Sequence, residues 1–410
     1  MIQSRAIEIM LSGDNVLLTG QAGSGKTWTI NEFVKQAKRQ RKKVVVTATT
    51  GLASSHIGGQ TIHSWSGMGL NDHLSEDYVY TISETRKKGI RKTDVLIIDE
   101  ISMMHDYNLD MVDEAMRIIR ENDKPFGGIQ VILVGDFFQL PPVKQGGSGK
   151  FVVFSEVWKK MNVKVCYLEE QHRQDDEDLQ DILNAMRDGT LNQRHLDLLQ
   201  SRVGKKAYDN VTRLYTLNID VERINTQKLD ELDGDTHFYL RTSRGRSWND
   251  LQILQKNVLA PEILKLKKNA VVMAVKNDAE GRFFNGSIGV VTGFSRDGFP
   301  VVDFGDMYAY TVYPAEWEHK RGDRTTAGLT QIPIRLAYAI TVHKSQGMTL
   351  DSAEVDLRNA FVEGMGYVGL SRVRSLKTLY LKGFNQRSLM VSPVARAIDT
   401  KLKEKSKANE

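Results

Sequence analysis

The sequence predicts an α/β fold in which buried strands form a parallel sheet. Four runs of apolar residues are continuous instead of alternating with polar ones, as in strands that are covered on both faces. They are NVLLTG (15–20), KVVVTA (43–48), DVLIIDE (94–100) and IQVILVGD (129–136). Between the first two runs, Thr27 to Arg41 carries apolar residues at helical spacing. A sheet of this kind binds its ligands beyond the carboxyl ends of its strands.

The rest of the chain predicts a second α/β region that a β-rich segment interrupts. After about Glu169, a charged helix region (170–189), an apolar strand (212–218) and a helix (219–232) repeat the first pattern. Short β-like segments then follow, and the turn pairs Asn285-Gly286 and Asp297-Gly298 indicate hairpins. Two later stretches return to the style of buried strands, RLAYAITVHK (335–344) and LKTLYLKGF (376–384).

Composition places the chain among ordinary globular proteins. Of its 410 residues, 40% are hydrophobic and 26% are charged, which excludes a disordered or fibrous chain. The sequence shows neither an apolar run near the ~18 residues of a membrane span nor a signal segment, so a cytoplasmic or nuclear location is expected. A single cysteine, Cys166, excludes an internal disulfide and a Cys-rich metal site. The net charge of +5 permits a polyanionic partner without requiring one.

A phosphate-binding loop is predicted directly after the first strand. Residues 20–27, GQAGSGKT, match the pattern GxxxxGK[ST] between a predicted strand and a predicted helix. Glycines let backbone N–H groups curl around phosphate oxygens, and the helix N-terminus adds positive potential. In such loops the lysine reaches the β- and γ-phosphates of a nucleotide, and the final hydroxyl binds Mg²⁺. The candidate residues are Gly20, Ala22, Gly23, Ser24, Gly25, Lys26 and Thr27.

Two further strand ends carry polar residues that suit nucleotide hydrolysis. VLIIDE (95–100) ends in two carboxylates, of which Asp99 is the candidate ligand of Mg²⁺ through water and Glu100 the candidate general base. GDFFQLPPV (135–143) places Gln139 just past the next strand, where it could sense the γ-phosphate. An ATPase that switches a protein complex would carry the same residues, so these motifs alone leave that alternative open.

Further stretches complete a series of motifs in a recognisable order. They are Gln3 with Ala6, TATTGLAS (47–54), GGQTIHSW (58–65), EEQHRQ (169–174), AITVHKSQGMTLD (339–351) and GYVGLSRVRSL (366–376). With the phosphate loop and the two strand ends, the series resembles the PIF (petite-integration-frequency) type of superfamily 1B DNA helicases, which are related to RecD and Dda. The last two stretches are highly specific and indicate a second motor lobe, which argues against a protein switch.

The resemblance implies an ATP-driven motor with two RecA-like parallel-sheet domains. Such a protein translocates 5′→3′ on single-stranded DNA and unwinds duplex or structured DNA in repair, recombination or replication. ATP and Mg²⁺ are its implied cofactors, and single-stranded and forked or structured DNA are its implied partners. We expect a monomer that does not bind membranes and that is associated with the nucleoid if its source is bacterial or viral.

The resemblance also implies roles for individual residues. Gln3 matches the position that reads adenine, and Gln346 and Gly347 match positions in the nucleotide site. Arg173 and Arg372 match the family's arginines, which stabilise charge on the γ-phosphate. The implied contacts to DNA are Thr50, Gly51, His63, Thr341, His343 and Lys344. For the two histidines a purely structural role stays open.

The implied domain division follows the motifs. Residues 1–65 and 91–168 would form motor domain 1A, with residues 66–90 as a small 1B wedge insert. Residues 169–230 and 333–393 would form motor domain 2A, with residues 231–332 as an SH3-like 2B insert. The C-terminal tail comprises residues 394–410, and its last ten residues, KLKEKSKANE (401–410), are expected to be frayed and solvated.

Overall fold

The structure, a computed structural model, describes residues 1–50, 60–68, 73–144, 147–170, 176–207, 211–245, 247–278, 280–283, 285–305, 308–321 and 324–409. The chain divides into two compact units. The first contains Met1–Val79, Arg86–Thr216 and Thr341–Glu410, and the second contains Tyr80–Thr85 and Leu217–Ile340. Within the described ranges, no helix is both long and apolar enough to cross a membrane.

A parallel sheet of six strands forms the centre of the first unit. Its strands are β1 (Val16–Gly20), β2 (Val44–Ala48), β3 (Gln60–Thr61), β4 (Val95–Asp99), β5 (Gln130–Gly135) and, after the short hairpin of β6 (Val143–Lys144) and β7 (Gly147–Ser148), β8 (Lys164–Leu168). Their order is β3-β2-β4-β5-β1-β8, and the neighbouring pairs are parallel. The predicted buried strands are thereby confirmed. Because β4, β5 and β1 are neighbours, their polar carboxyl ends meet at one edge of the sheet.

Two helices cover one face of this sheet, α1 (Gln3–Leu11) and α2 (Lys26–Arg39). Phe33 of α2 and Met10 of α1 are fully buried against strand residues such as Leu18 and Ile97. Successive side chains of a strand lie on opposite faces of the sheet. A continuous apolar run therefore makes both faces apolar. Along the chain follow α3 (Ile62–Ser66), α4 (Tyr78–Thr81), α5 (Glu84–Arg91), α6 (Asp106–Arg120), α7 (Glu156–Lys160), α8 (Glu177–Asp188), α9 (Gln193–Gln200) and strand β9 (Thr212–Tyr215).

Antiparallel strands and two helices build the second unit. These elements are α10 (Asn218–Asp230), β10 (His237–Leu240), β11 (Thr242–Gly245), α11 (Trp248–Asn257), β12 (Ile263–Leu266), β13 (Val271–Ala274), β14 (Ile288–Phe294), β15 (Pro300–Asp303), β16 (Ala309–Thr311), β17 (Ala315–Arg321), β18 (Arg324–Gln331) and β19 (Ile334–Leu336). The strand orders are β16-β15-β14-β13-β19, β11-β18-β17 and β10-β12. Leu266, Val272 and Val291 are fully buried in its core. The predicted β-rich segment is confirmed.

The two predicted turn pairs have different surroundings in this unit. Asp297-Gly298 joins the antiparallel strands β14 and β15, with Gly298 at a φ of +79°, so the hairpin predicted there is confirmed. Asn285-Gly286 instead ends the long loop between β13 and β14, where the Gly286 N–H donates to the Ala274 carbonyl at 2.8 Å. It therefore belongs to a longer connection and not to a two-residue hairpin.

The chain returns to parallel strands after β20 (Ala339–Thr341), at whose end it passes back into the first unit. β21 (Ala353–Leu357) pairs in parallel with β9 on one side and with β22 (Leu379–Phe384) on the other. Helix α12 (Met365–Leu370) lies between β21 and β22 in sequence, and α13 (Pro393–Lys407) follows them. The strands predicted within 212–218 and 376–384 are thus confirmed in a parallel arrangement. The predicted strand at 335–344 is instead divided between β19, which pairs antiparallel with β13, and β20.

The expectation of a frayed C-terminal end is wrong. Residues Pro393–Lys407 form α13, which Ser392 caps by accepting a hydrogen bond from the Ala395 N–H. Ala395, Ile398 and Leu402 recur at helical spacing and are buried. The Ser406 hydroxyl accepts the Tyr167 N–H of β8 at 3.0 Å, so the helix is fixed to the edge of the six-stranded sheet. Lys401, Lys405 and Lys407 of this segment are exposed, whereas Lys403 is half-buried and pairs with Asp399 at 3.0 Å.

Candidate nucleotide-binding site

The backbone of the phosphate loop, residues 20–27, favours glycine, as Gly20 and Gly25 show. Gly20 ends β1, where an added Cβ atom would lie 2.6 Å from the carbonyl oxygen of Leu168. Gly25 is the N-cap of α2 with a φ of +81°, in the left-handed region that glycine adopts without strain. The sequence therefore folds here into a tight loop that ends at a helix N-terminus, which is a favourable place for an anion.

Lys26 lies across this loop. Its ammonium Nζ donates to the carbonyl oxygens of Gly20 and Gln21, both at 2.8 Å. These are contacts to neutral acceptors, which are weaker than those an ammonium makes to a phosphate. The position of the charge, over the mouth of the loop, suits contact with the oxygens of a bound phosphate chain.

The acidic pair lies at the end of β4 with an unusual backbone. Glu100 has a φ of +54°, uncommon for a residue with a side chain, and its N–H donates to the Asp99 carboxylate at 2.7 Å. Burial, and next the charge of Glu100, raise the pKa of Asp99 to about 7. A cation beside Asp99 would favour its charged form, so this carboxyl fits a divalent metal.

Gln346 lies against the candidate general base. Its Nε2 donates to the Glu100 carboxylate at 2.8 Å and to the Ser102 hydroxyl at 3.3 Å. An added Cβ atom at Gly347, whose φ is +82°, would lie 3.2 Å from the same carboxylate. The structure thus brings Gln346 and Gly347 close to Glu100, although Gln346 and Glu100 are 246 residues apart in sequence.

Three buried polar atoms around this cluster have no hydrogen-bond partner in the part of the chain that the structure describes. They are Ser24 Oγ, Gln139 Oε1 and Gln346 Oε1. Buried polar groups in folded proteins are nearly always paired, so such atoms indicate a partner that the protein itself does not supply. All three belong to the motifs predicted to hold nucleotide, and the residues present therefore fit that ligand.

Arg372 is fully buried next to the segment that carries Gln346. Its guanidinium donates to the carbonyl oxygens of Ser345 at 3.2 Å, Met348 at 3.0 Å and Val368 at 2.8 Å. These bonds hold the turn on which Gln346 and Gly347 lie. Arg173, its predicted counterpart, lies outside the described residues.

Gln3 begins α1 and contacts the phosphate loop. Its side-chain amide donates to the Ser24 carbonyl at 3.4 Å, a long and weak hydrogen bond. The structure therefore places Gln3 beside the phosphate loop.

The residues predicted to contact DNA have varied surroundings. Thr341 caps a short 3₁₀ turn, Val342–Ser345, and its hydroxyl accepts the Lys344 N–H at 3.3 Å. His343 stacks near Phe361 with ring centroids 6.1 Å apart, and burial lowers the pKa of His343 and of His63. Thr50 is the second residue after the end of β2, whereas Gly51 lies outside the described residues.

A buried network beside the phosphate loop was not predicted. Arg187 of α8 donates to both oxygens of Asp136 at 2.9 Å, to the Tyr367 hydroxyl at 2.9 Å and to the Tyr167 hydroxyl at 2.8 Å. The sequence did hold a signal, because Arg187 continues the apolar face of α8 that Leu179 and Leu183 begin. An arginine at such a position is buried and must have an acidic partner.

Comparison with known proteins identifies the relatives of this chain. A family model described as PIF1-like helicase matches residues 3–197. Two relatives named ATP-dependent DNA helicase Pif1 come from Psychrobacter sp. and Bdellovibrio bacteriovorus and are 39% and 35% identical. These matches cover 99% and 95% of this chain, and 71% and 89% of the respective relatives.

Solved structures agree with the sequence relatives. The crystal structure of Pif1 helicase from Candida albicans matches with a TM-score of 0.91 at 32% identity, over 98% of both chains. Pif1 helicase from Bacteroides in complex with ADP-AlF3 and ssDNA matches with a TM-score of 0.83 at 30% identity, over 100% of this chain and 99% of the other. The predicted α/β class with RecA-like parallel sheets is confirmed, and the chain belongs to the PIF1-like helicase family.

Proposed function

We propose that this chain is an ATP-dependent DNA helicase that moves 5′→3′ along single-stranded DNA and unwinds duplex or structured DNA. The observation that carries the proposal is the bond between Gln346 and Glu100. It joins the phosphate-loop cluster to HKSQG (343–347), the motif that distinguishes a motor from a nucleotide-dependent protein switch. The Bacteroides relative is described with both ADP-AlF3 and ssDNA, and the direction of movement rests on the resemblance to superfamily 1B.

The proposed chemistry assigns one task to each side chain of the cluster. Lys26 binds the β- and γ-phosphates, while the Thr27 hydroxyl and, through water, Asp99 would hold Mg²⁺. Mg²⁺ supplies charge neutralisation on the phosphate oxygens when it is bound. Glu100 takes a proton from the attacking water, and Gln139 orients groups at the γ-phosphate. Arg372 and Arg173 stabilise the charge that spreads over the γ-oxygens.

Further parts of the proposal concern DNA, domains and location. The phosphates of a single strand would contact Thr50, Gly51, His63, Thr341, His343 and Lys344, with little dependence on sequence. The proposed boundaries are those given by the motifs, for motor domains 1A and 2A as well as for the 1B and 2B inserts. The proposed work is genome maintenance, and the proposed location is the cytoplasm, in association with the nucleoid, if the source is bacterial or viral.

Unwinding of forked DNA tests the proposed function directly. A duplex with a 5′ single-stranded tail should be unwound in the presence of ATP, and one with only a 3′ tail should not. Single-stranded DNA should also raise ATP turnover strongly, because the nucleotide cluster and the DNA motifs belong to one motor. The measurement is strand separation in a gel or by fluorescence, with a blunt duplex as the control. Unwinding from the 3′ tail alone would overturn the proposed 5′→3′ direction. ATP turnover that DNA does not stimulate would favour a protein switch.

Removal of Mg²⁺ tests the proposed metal ligands. Excess EDTA should abolish ATP turnover and added Mg²⁺ should restore it, because the triphosphate otherwise keeps its full charge in the loop. Asp99→Asn should raise the Mg²⁺ concentration needed for half-maximal turnover by about tenfold or more, because a lost contact to a charged group costs roughly 1.5–3 kcal/mol. Asp123→Asn, at an exposed position outside the cluster, is the matched control. An unchanged requirement for Mg²⁺ in Asp99→Asn would contradict this assignment.

A further inference from the structure

We propose that the hydroxyl of Tyr367 is a positioning group for ATP binding, which fixes the phosphate loop from outside the nucleotide site. The inference rests on the proposed ATPase function. Tyr367 lies on α12, one position after Gly366, and is fully buried. Its hydroxyl oxygen accepts a hydrogen bond from the Ala22 N–H of the phosphate loop at 3.3 Å.

The orientation of this hydroxyl is fully determined by its partners. It donates its proton to the Asp136 carboxylate at 3.0 Å and accepts from Arg187 Nη1 at 2.9 Å and from Ala22 N–H. One donor and two lone pairs exhaust the capacity of a phenolic hydroxyl. Burial raises the pKa of Tyr367 to about 12, so the hydroxyl keeps the proton that it gives to Asp136. A lone pair is therefore held towards the loop.

Arg187 makes this arrangement rigid. Its guanidinium also lies 4.0 Å above the ring of Phe138, the residue directly before the candidate sensor Gln139. Arg187 and Asp136 are about 2% and 1% exposed, so their ion pair has little competition from water. The same guanidinium reaches Asp399 of α13 at 3.1 Å. Four segments far apart in sequence thus define where the Tyr367 hydroxyl lies.

The consequence for the nucleotide follows from the position of Ala22. It directly precedes the turn that presents Gly23, Ser24 and Gly25 to a phosphate. A hydrogen bond that holds the Ala22 N–H in place orders the loop before the nucleotide binds. This lowers the entropic cost of binding. Loss of the hydroxyl should therefore weaken nucleotide binding more than it slows the chemical step.

Tyr367→Phe tests this role, with Tyr167→Phe as the matched control. Tyr167 is also buried, and its hydroxyl also binds Arg187, but its second partner is Asp399 and not the loop. Both variants keep their rings and remove one hydroxyl from the same network, so we expect similar losses in the thermal unfolding midpoint. Only Tyr367→Phe should raise the Kd for ADP and the KM for ATP, by roughly three- to tenfold, which is the range of one buried hydrogen bond. Its kcat should stay within about twofold of the unsubstituted chain.

The outcomes separate this proposal from the proposed function. Suppose that the unsubstituted chain hydrolyses ATP and that both tyrosine variants bind ADP as tightly as it does. The Tyr367 hydroxyl then has only a structural role, and the proposal fails. An equal rise of Kd in Tyr167→Phe would also overturn it, because the effect would then belong to the network as a whole. If the unsubstituted chain binds ADP but shows no ATP turnover, the proposed function fails, whereas the ADP comparison still decides the role of Tyr367.

Discussion

Replacing Glu100 by glutamine should lower DNA-stimulated ATP turnover by about 10²–10⁴-fold, the usual contribution of a general base. Nucleotide binding should survive, because Lys26 and Thr27 are untouched and a glutamine oxygen can still accept from Gln346 Nε2. The charge of Glu100 is also one cause of the raised pKa of Asp99. Its removal should make Asp99 easier to ionise, so the proposed Mg²⁺ site should not weaken. The measurement is steady-state ATP turnover beside the Kd for ADP.

Two comparisons make this result specific. Glu114→Gln, at an exposed position on α6, removes the same charge from the surface of the first unit and should leave turnover unchanged. Lys26→Ala should lose turnover for another reason, since it removes the contact to the phosphates and should raise the Kd for nucleotide as well. Turnover of Glu100→Gln close to that of the unsubstituted chain would show that another group accepts the proton.

The carboxyl ends of the strands could be predicted from the sequence because local signals are strong there. Continuous apolar runs predicted β1, β4 and β5, and in a parallel sheet with such strands the residues that follow them share one edge. The sequence alone therefore identifies Asp99, Glu100 and Gln139 as candidates. The phosphate loop needed no more than its glycines, its lysine and its flanking elements.

Contacts between distant segments could not be predicted in this way. No local pattern says that Gln346 meets Glu100, and only the resemblance to a family placed both in one site. Arg187 was visible as a charge on an apolar helix face, but its partner Asp136 lies 51 residues away. In α13 the number of lysines suggested a solvated end. Ala395, Ile398 and Leu402 nevertheless recur at helical spacing, and these are the residues that the helix buries. Periodicity outweighs composition in such short segments.

Arg372→Ala should lower ATP turnover by on the order of 10³-fold or more, the range seen when an arginine stabilises phosphoryl transfer. The structure adds a second reason for this loss. The guanidinium holds the carbonyl oxygens of Ser345 and Met348, which flank Gln346 and Gly347. Without the guanidinium, the turn loses these hydrogen bonds, and the contact between Gln346 and Glu100 should be lost as well. The unfolding midpoint should fall too, since buried carbonyl groups left without donors each destabilise a fold by about 1–3 kcal/mol.

Arg372→Lys separates the two contributions of the guanidinium. An ammonium can still donate to one or two of the carbonyl oxygens, so lysine should recover part of the thermal stability. It cannot reproduce the planar fork, so turnover should stay low. Arg374→Ala is the matched control, because Arg374 lies two residues further in the same motif and is exposed. Turnover, unfolding midpoint and the affinities for ADP and single-stranded DNA should be measured for all three variants. If turnover in Arg372→Lys recovers in step with stability, Arg372 serves only to support the turn, and the charge on the γ-phosphate must be stabilised by another group.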